Sequence, residues 1–371
     1  MAKKILIVLY YYYPYISGLT IVAQRVAEGL ATKGHSVTVL TTRHDRNLAA
    51  EEIKNGVKII REKVLFTLGK GVVAPSLLWR AIALSRVHDI VKFHLPIAEP
   101  ALAALFIPKS KIVTQYHCDL NLGAGIIKKI VEKLSFALMK LLLWRSKRVI
   151  VITKDYFASS HFKAYTKKAV AIYPPMEVAR FTLPKEQAPK VQAACFTIGF
   201  VGRVVAEKGL EYLFSAIPYL EATIKNFKIL IAGDYENVAG GSVYEHLKIF
   251  VDRYPHRIFF QGKLSDKELV QFYQEIQLLV LPSIDPLEAF GLVQVEAMLC
   301  GTPVVASDRP GVRDPVLKTG FGLLAKSKDA KDLALQITTI YREGAFLKNG
   351  DYFKEFAIDR VIERYEEVFD V

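Results

Sequence analysis

What is scarce in the sequence narrows the field first. Three cysteines (Cys118, Cys195, Cys300) stand far apart in 371 residues, with no CxxC pair. That spacing speaks against a disulfide scaffold or a cysteine-ligated zinc site, and makes a reducing cytosol the expected compartment. Long apolar runs are missing as well: none approaches the roughly 18 uncharged residues of a membrane-spanning helix. The start of the chain, two lysines and an apolar run to Tyr10, imitates a signal peptide but breaks at Tyr10–Tyr13 and Pro14 without a small-residue cleavage site. It reads as a buried first strand. That strand is not followed by GxGxxG, which argues against a dinucleotide dehydrogenase. No His, Cys, Asp or Glu cluster has metal-ligand spacing, so no metal and no cofactor are expected. With 6 Asn and 4 Met beside many Lys and Ile, the composition is that of heat-adapted proteins.

What is present points to a globular chain of two domains. Half the residues are hydrophobic, 23% are charged, and 371 residues suit two cores of ordinary size. The net charge of +13 is uneven: residues 1–180 carry 28 Lys+Arg against 11 Asp+Glu, residues 181–371 carry 22 against 26. The first half therefore holds the whole excess and expects an anionic partner, unless the basic surface is merely solvated. No base-stacking or groove-reading motif accompanies the charge, which speaks against nucleic acid.

Short β-branched runs alternate with helical stretches throughout. Buried strands are expected at Ile5–Tyr10, Val37–Thr41, Ile90–Phe93, Ile112–Tyr116, Val149–Ile152 and Ala169–Ile172. The rhythm restarts after a Pro-containing linker, Ala179–Ala193, with strands at Ile198–Val201, Lys228–Ala232, Ile258–Gln261, Leu278–Leu281 and Val304–Ser307. Such alternation implies an α/β fold of βαβ units with parallel sheets. The expected division is 1–180, 181–351 and a terminal helix at 352–371. Ligands of open α/β sheets bind outside the carboxyl ends of the strands.

The most informative stretch runs from Leu281 to Gly301: strand, polar loop, then a helix from about Leu292 to Cys300. The helix start offers unpaired N–H groups at Gly291, Leu292 and Val293, a ready anion site. Glu288 precedes it and Glu296 lies a turn inside it. A carboxylate can accept two hydrogen bonds from a vicinal diol, so the pair suits a ligand with a diol at each end of a diphosphate, as in a nucleotide sugar. The spacing alone carries nothing, since Glu355 and Glu363 repeat it. Taken singly, Glu288 also fits an acid at a helix dipole and Glu296 a solvated helix residue. In Gly199–Gly209, Arg203 and Lys208 fall in a strand-to-helix loop where two cations can clamp a diphosphate; two surface charges on a loop would look the same.

Taken together these elements resemble glycosyltransferase family 4, of the GT-B fold. The resemblance rests on the Gly-Arg…Lys-Gly loop (Gly202, Arg203, Lys208, Gly209), the Glu-x7-Glu pair with Phe290-Gly291, and Cys300–Ser307. Pro14–Gly18, Asp89–His94, Gln115–Asp119 and Tyr173–Glu177 extend it over nearly the whole chain. It implies two Rossmann-like domains with parallel sheets facing across a cleft, and a terminal helix crossing back to the first domain. It further implies a retaining, metal-independent transfer of a hexose from a nucleoside diphosphate such as UDP or GDP. By the same resemblance Arg203 and Lys208 contact the diphosphate, Glu288 the sugar and Glu296 the ribose. Gly202, Phe290, Gly291, Leu292 and Val293 line the donor, the turn Gly262-Lys263-Leu264 meets the base, and Gly18 lies near phosphate or acceptor. Ser17 stands where the family has a first glycine. His117, at a strand end, would reach the reacting centre, and His94 packs and hydrogen-bonds.

The stretch Gly125–Arg148 has helical periodicity. Lys128, Lys129, Lys133 and Lys140 recur on one side and Ile127, Ile130, Leu134, Leu138, Leu141 and Leu142 on the other. It is either a sheet-packing helix with a solvated lysine face or a helix lying on an anionic membrane. The expected acceptor is a saccharide or lipid-linked hydroxyl, and the expected location cytoplasmic, with the membrane's cytoplasmic face as docking surface. The rival readings are a GT-B epimerase or hydrolase and a non-catalytic nucleotide-sugar-binding subunit.

Overall fold

The computed structural model describes residues 1–68, 71–123, 125–182, 195–236, 238, 241–345 and 347–370. Positions 183–193 of the expected linker lie outside the described residues. The chain divides into two compact units, Met1–Met176 with Phe356–Val371, and Glu177–Glu355.

In the first unit the strands are β1 (Lys4–Val8), β2 (Ser36–Arg43), β3 (Glu51–Lys54), β4 (Val57–Lys63), a short antiparallel pair β5 (Phe66–Leu68) and β6 (Gly71–Val73), β7 (Ile90–Leu95), β8 (Ile112–Tyr116), β9 (Arg148–Val151) and β10 (Ala169–Ala171). Eight of them form one sheet in the order β10-β9-β8-β7-β1-β2-β4-β3, parallel except for β3 against β4. The parallel strands read as unbroken apolar runs because both faces are covered. β3 and β4 escaped the sequence reading, although Asn55-Gly56 between them is a strong two-residue hairpin signal. Both residues take positive φ, 49° and 77°. Charged side chains in Glu51–Lys54 and Val57–Lys63 blurred the alternation that marks a strand.

The first helix, Gly18–Thr32, starts at Ser17, whose Oγ accepts from Thr20 N–H at 3.2 Å while Thr20 Oγ1 accepts from Ser17 N–H at 2.8 Å. Ser17, the departure from the family's glycine, is thus a helix cap. The terminal helix, Ile358–Asp370, belongs to this unit and buries Val361, Ile362, Tyr365, Val368 and Phe369 in the same core as β1 and the first helix. Polar clips fix it at the edge: Lys3 Nζ donates to Phe369 O at 2.9 Å, and His35 Nε2 lies 2.9 Å from Glu366.

The second unit is an all-parallel sheet of β11 (Phe196–Val201), β12 (Phe227–Ala232), β13 (Ile258–Gly262), β14 (Leu278–Leu281), β15 (Val304–Ser307) and β16 (Gly322–Ala325), ordered β13-β12-β11-β14-β15-β16. The order reverses direction between β11 and β14, which pair at Ile198–Leu278 and Gly199–Leu279. Here the chain leaves one side of the sheet for the other, and the loops after the two strands part to leave a crevice. The edge strand β16 was not foreseen from sequence.

Ile362 is 1% exposed, packed among sheet and first helix. Ile362→Ala is expected to lower unfolding free energy by ~2–5 kcal/mol in urea titrations; a loss under ~0.5 kcal/mol would show that the terminal helix does not belong to this core.

Candidate functional site

The loop after β11 carries Gly202, Arg203 and Lys208, and that after β14 carries Glu288, Phe290 and Gly291. Two features hold the loops together. Ile284 N–H donates to Glu207 O at 2.9 Å, joined by Ser283 Oγ at 3.2 Å. Gly209, at φ 69°, lets the backbone approach so closely that a Cβ would fall 2.2 Å from Pro282 O. With the turn pinned, the Lys208 ammonium donates to Glu288 Oε2, their side chains 20% and 15% exposed. Arg203 sits 46% exposed with Nη2 3.7 Å from Glu207. Burial raises the Asp285 carboxyl, a shift to which the nearby Glu207 and Glu288 add, while the Leu287 N–H and Lys208 oppose it.

The helix Leu292–Leu299 begins at Gly291, φ 79°, where a Cβ would lie 2.4 Å from Leu281 Cδ2. Among the described residues no side chain caps it, so its first N–H groups stay available to an anion. The bend before it is braced from inside by fully buried Gln294, whose Nε2 donates to Phe290 O at 2.9 Å and Val312 O at 3.0 Å. Glu296 is half-buried and accepts from Tyr273 OH at 2.7 Å. Burial, reinforced by Glu296, holds the Tyr273 phenol far above its usual range, so it stays a donor to that carboxylate. Cys300 Sγ donates to Phe181 O at 3.3 Å, and burial, then Glu296, pushes its thiol up to about 12. It is therefore an inert packing residue. Lys263, exposed, and Leu264, half-buried, follow β13, two strands from the reversal, in a turn tied to the β12 loop by Gly233 N–H donating to Gly262 O at 2.8 Å.

The second unit thus brings Lys208 and Glu288 into contact and puts Gly202, Arg203 and the start of the helix on the same two loops. Lys263 and Leu264 share the edge, while Glu296 is engaged by Tyr273. Sequence reasoning did not find Tyr273 or Gln294. Gln294 left a trace, a polar residue fully buried in a helix of apolar neighbours. Tyr273 left none, because its partner lies 23 residues away in a different helix.

His117 and Gly18 belong to the first unit. Among the described residues nothing lies within 4 Å of a Cβ added at Gly18, so their packing does not require glycine there. His117 follows β8 and is 7% exposed; its Nε2 lies 2.9 Å from Nδ1 of His94, their rings stacked at 5.1 Å. Lys92, two residues before His94 on β7, is fully buried with its Nζ 4.2 Å from the centre of the Tyr365 ring. Burial drives the Lys92 ammonium well down; burial, then Lys92, then His117 does the same to His94. His117 falls to about 3 through burial and then Lys92.

A histidine kept neutral in the fold takes up a proton on unfolding wherever the pH is below its unfolded value of roughly 6.5, so stability is complete above that value and is lost as pH falls toward the folded one. His117 should cost about 2 kcal/mol of stability between pH 7.5 and pH 5. Unfolding titrations of wild type and His117→Gln check this: the variant should lose less stability over that interval, and parallel curves would contradict a buried neutral His117.

The description "Glycosyl transferases group 1" matches residues 185–359, and "Glycosyltransferase Family 4" matches residues 16–180. An uncharacterized glycosyltransferase of Methanocaldococcus jannaschii is 25% identical, over 99% of this chain and 98% of its own. Among solved structures, a sucrose-phosphate synthase from Thermosynechococcus elongatus aligns with TM-score 0.73 at 20% identity, over 99% of this chain and 98% of its own. The Anabaena protein HepE in complex with UDP and glucose aligns with TM-score 0.70 at 18% identity, over 99% of each chain. Family matches over both units and a shared architecture agree with the parallel sheets and the loops at the reversal: the chain belongs to the glycosyltransferase family 4 type and has the GT-B fold.

Proposed function

We propose that this glycosyltransferase takes a hexose from a nucleoside diphosphate sugar, of the UDP or GDP kind, and passes it with retention to a hydroxyl of a saccharide or lipid-linked acceptor, without an obligatory metal. The observation that carries the reading is the Lys208–Glu288 pair beside an uncapped helix start at the strand reversal. A diphosphate set against that helix start meets Arg203, Lys208 and the N–H groups of Gly291, Leu292 and Val293. Glu288 then accepts from the sugar hydroxyls and Glu296 from the ribose, with Lys263 and Leu264 against the base. HepE, solved with UDP and glucose, carries ligands of this kind on the same fold.

As the sugar–phosphate bond stretches, negative charge grows on the departing diphosphate. Lys208, Arg203 and the helix N-terminus stabilise that charge more than they stabilise the ground state, and so accelerate the step. The acceptor hydroxyl attacks from the face the leaving group vacates and gives its proton to the diphosphate oxygen. The first unit supplies the acceptor side, with His117 and Gly18 at its carboxyl edge.

The helix Ile126–Arg145 supports a membrane-proximal acceptor. Its inner side buries Phe136, Met139, Leu142 and Leu143, yet Ile126 and Ile127 remain 80% and 73% exposed, and Ile130 and Leu134 61% each. Lys128, Lys129 and Lys133 are exposed among them. Apolar side chains flanked by lysines suit an anionic lipid interface. No helix among the described residues is long and apolar enough to cross a membrane.

Lys208→Ala is expected to cost ~2–4 kcal/mol of transition-state stabilisation, a fall of roughly 30- to 1000-fold in kcat/KM. Activity with each donor, with products analysed for the anomer formed, tests both the residue and retention; wild-type turnover would contradict the role. Sedimentation with anionic liposomes should carry the protein down at low salt and release it at high salt. Ile127→Asp with Ile130→Asp should abolish this, and binding that ignores both salt and substitution would remove the helix as a membrane contact.

A further inference from the structure

The buried basic groups of the first unit remain unexplained by the reading above. On β7, Lys92 and His94 are 0% and 1% exposed, and neither Lys92 Nζ nor His94 Nε2 has a hydrogen-bond partner among the described residues. Alternation along a strand sends both to the same face of the sheet, the face that Tyr365 of the terminal helix also covers, its ring 4.2 Å from the Lys92 Nζ. The Tyr365 hydroxyl turns away to donate to Gln115 Oε1 at 2.9 Å. Among the described residues no carboxylate acts on the imidazoles: burial, Lys92 and His117 act on His94, and burial and Lys92 on His117.

A hydrogen bond between two neutral imidazoles needs an N–H on one and a lone pair on the other. If His117 Nε2 carried the proton, His94 would accept at Nδ1 and be left with an N–H at Nε2, buried and without an acceptor. Such orphaned donors are rare and costly. If His94 Nδ1 carries it, His94 Nε2 is a bare lone pair. Lys92 Nζ shares this buried layer but is not bonded to His94, so no acceptor among the described residues reaches His94 Nε2, and a bare lone pair there costs less than an orphaned N–H. The second arrangement prevails, and the only proton left to His117 sits on Nδ1.

We propose that His94 locks His117 as its neutral Nδ1–H tautomer, so that His117 offers a hydrogen-bond donor, and neither a base nor a cation, to an oxygen of a ligand at the carboxyl edge of the first unit's sheet. His94 is then a positioning residue, acting only through His117. That His117 touches ligand rests on the glycosyltransferase reading; the tautomer lock does not.

The test is nitrogen-15 NMR of the full-length protein, without ligand, labelled at histidine and assigned with His117→Gln. The lock requires the His117 resonances of a neutral ring protonated at Nδ1, unchanged from pH 5.5 to 8. A ring protonated at Nε2, or a titration within that range, overturns it. His94→Asn keeps an amide N–H near the Nδ1 position, while His94→Phe keeps none. The Asn variant should retain the tautomer and turn over within about threefold of wild type, and the Phe variant should lose the tautomer bias and at least tenfold in kcat with KM little changed. Equal loss in both variants, or a Phe variant as active as wild type, contradicts the positioning role. A locked His117 in a protein that transfers no sugar would overturn the functional reading and leave the lock standing.

Discussion

An ammonium and a carboxylate held against each other at the reversal of a parallel sheet are what the second unit is arranged around. Lys208 and Glu288 are 80 residues apart in sequence and come together because the loops after β11 and β14 are stitched at Glu207, Ser283, Ile284 and Gly209. With both side chains largely removed from water, neither charge is well solvated without the other. A ligand bearing anionic oxygens for the lysine and hydroxyls for the glutamate can take over both halves of the pair with little loss. That exchange suits a diphosphate joined to a sugar better than either component alone. The adjoining helix start, kept open by Gly291 and braced by Gln294, adds oriented dipoles that need no rearrangement during reaction.

The first unit works by the opposite device. Its carboxyl edge withdraws basic groups from water and gives them no counter-charge, so Lys92, His94 and His117 are all driven toward neutrality. Tyr365, from the terminal helix, closes the back of this cluster, its ring over Lys92 and its hydroxyl donating to Gln115. The outer helix Ile126–Arg145 keeps its charge, with lysines spread around exposed isoleucines. The basic excess of the first half is thus divided between an interior that suppresses charge and a surface that displays it.

Most of this architecture is legible in the sequence because parallel strands covered on both faces must be apolar runs, and the loops between them must carry glycine where backbones meet. Ile112–Tyr116 and Leu278–Leu281 were read to the residue. The hairpin at Asn55-Gly56 was equally legible and was missed because charges in its strands hid the period. The strand Gly322–Ala325 offers four residues and little burial contrast, too weak a signal to separate from a loop. At the site, Arg203, Lys208, Glu288 and Glu296 are marked by motif. Tyr273, Gln294 and the bond between His94 and His117 depend on neighbours that only folding supplies. Ser17, which stands where the family has a first glycine, does its work as a helix cap.

The most direct measurement of the central claim is a thermal-shift series with UDP-, GDP- and ADP-sugars, run on wild type and on the Lys208→Ala, Glu288→Gln double variant. A ligand that binds only the folded protein stabilises it by about 2.7 kcal/mol at a hundred times its dissociation constant. The account predicts that one nucleotide series raises the wild-type melting point and that the rise vanishes in the double variant. A rise of equal size in both proteins, or none with any donor, would contradict it.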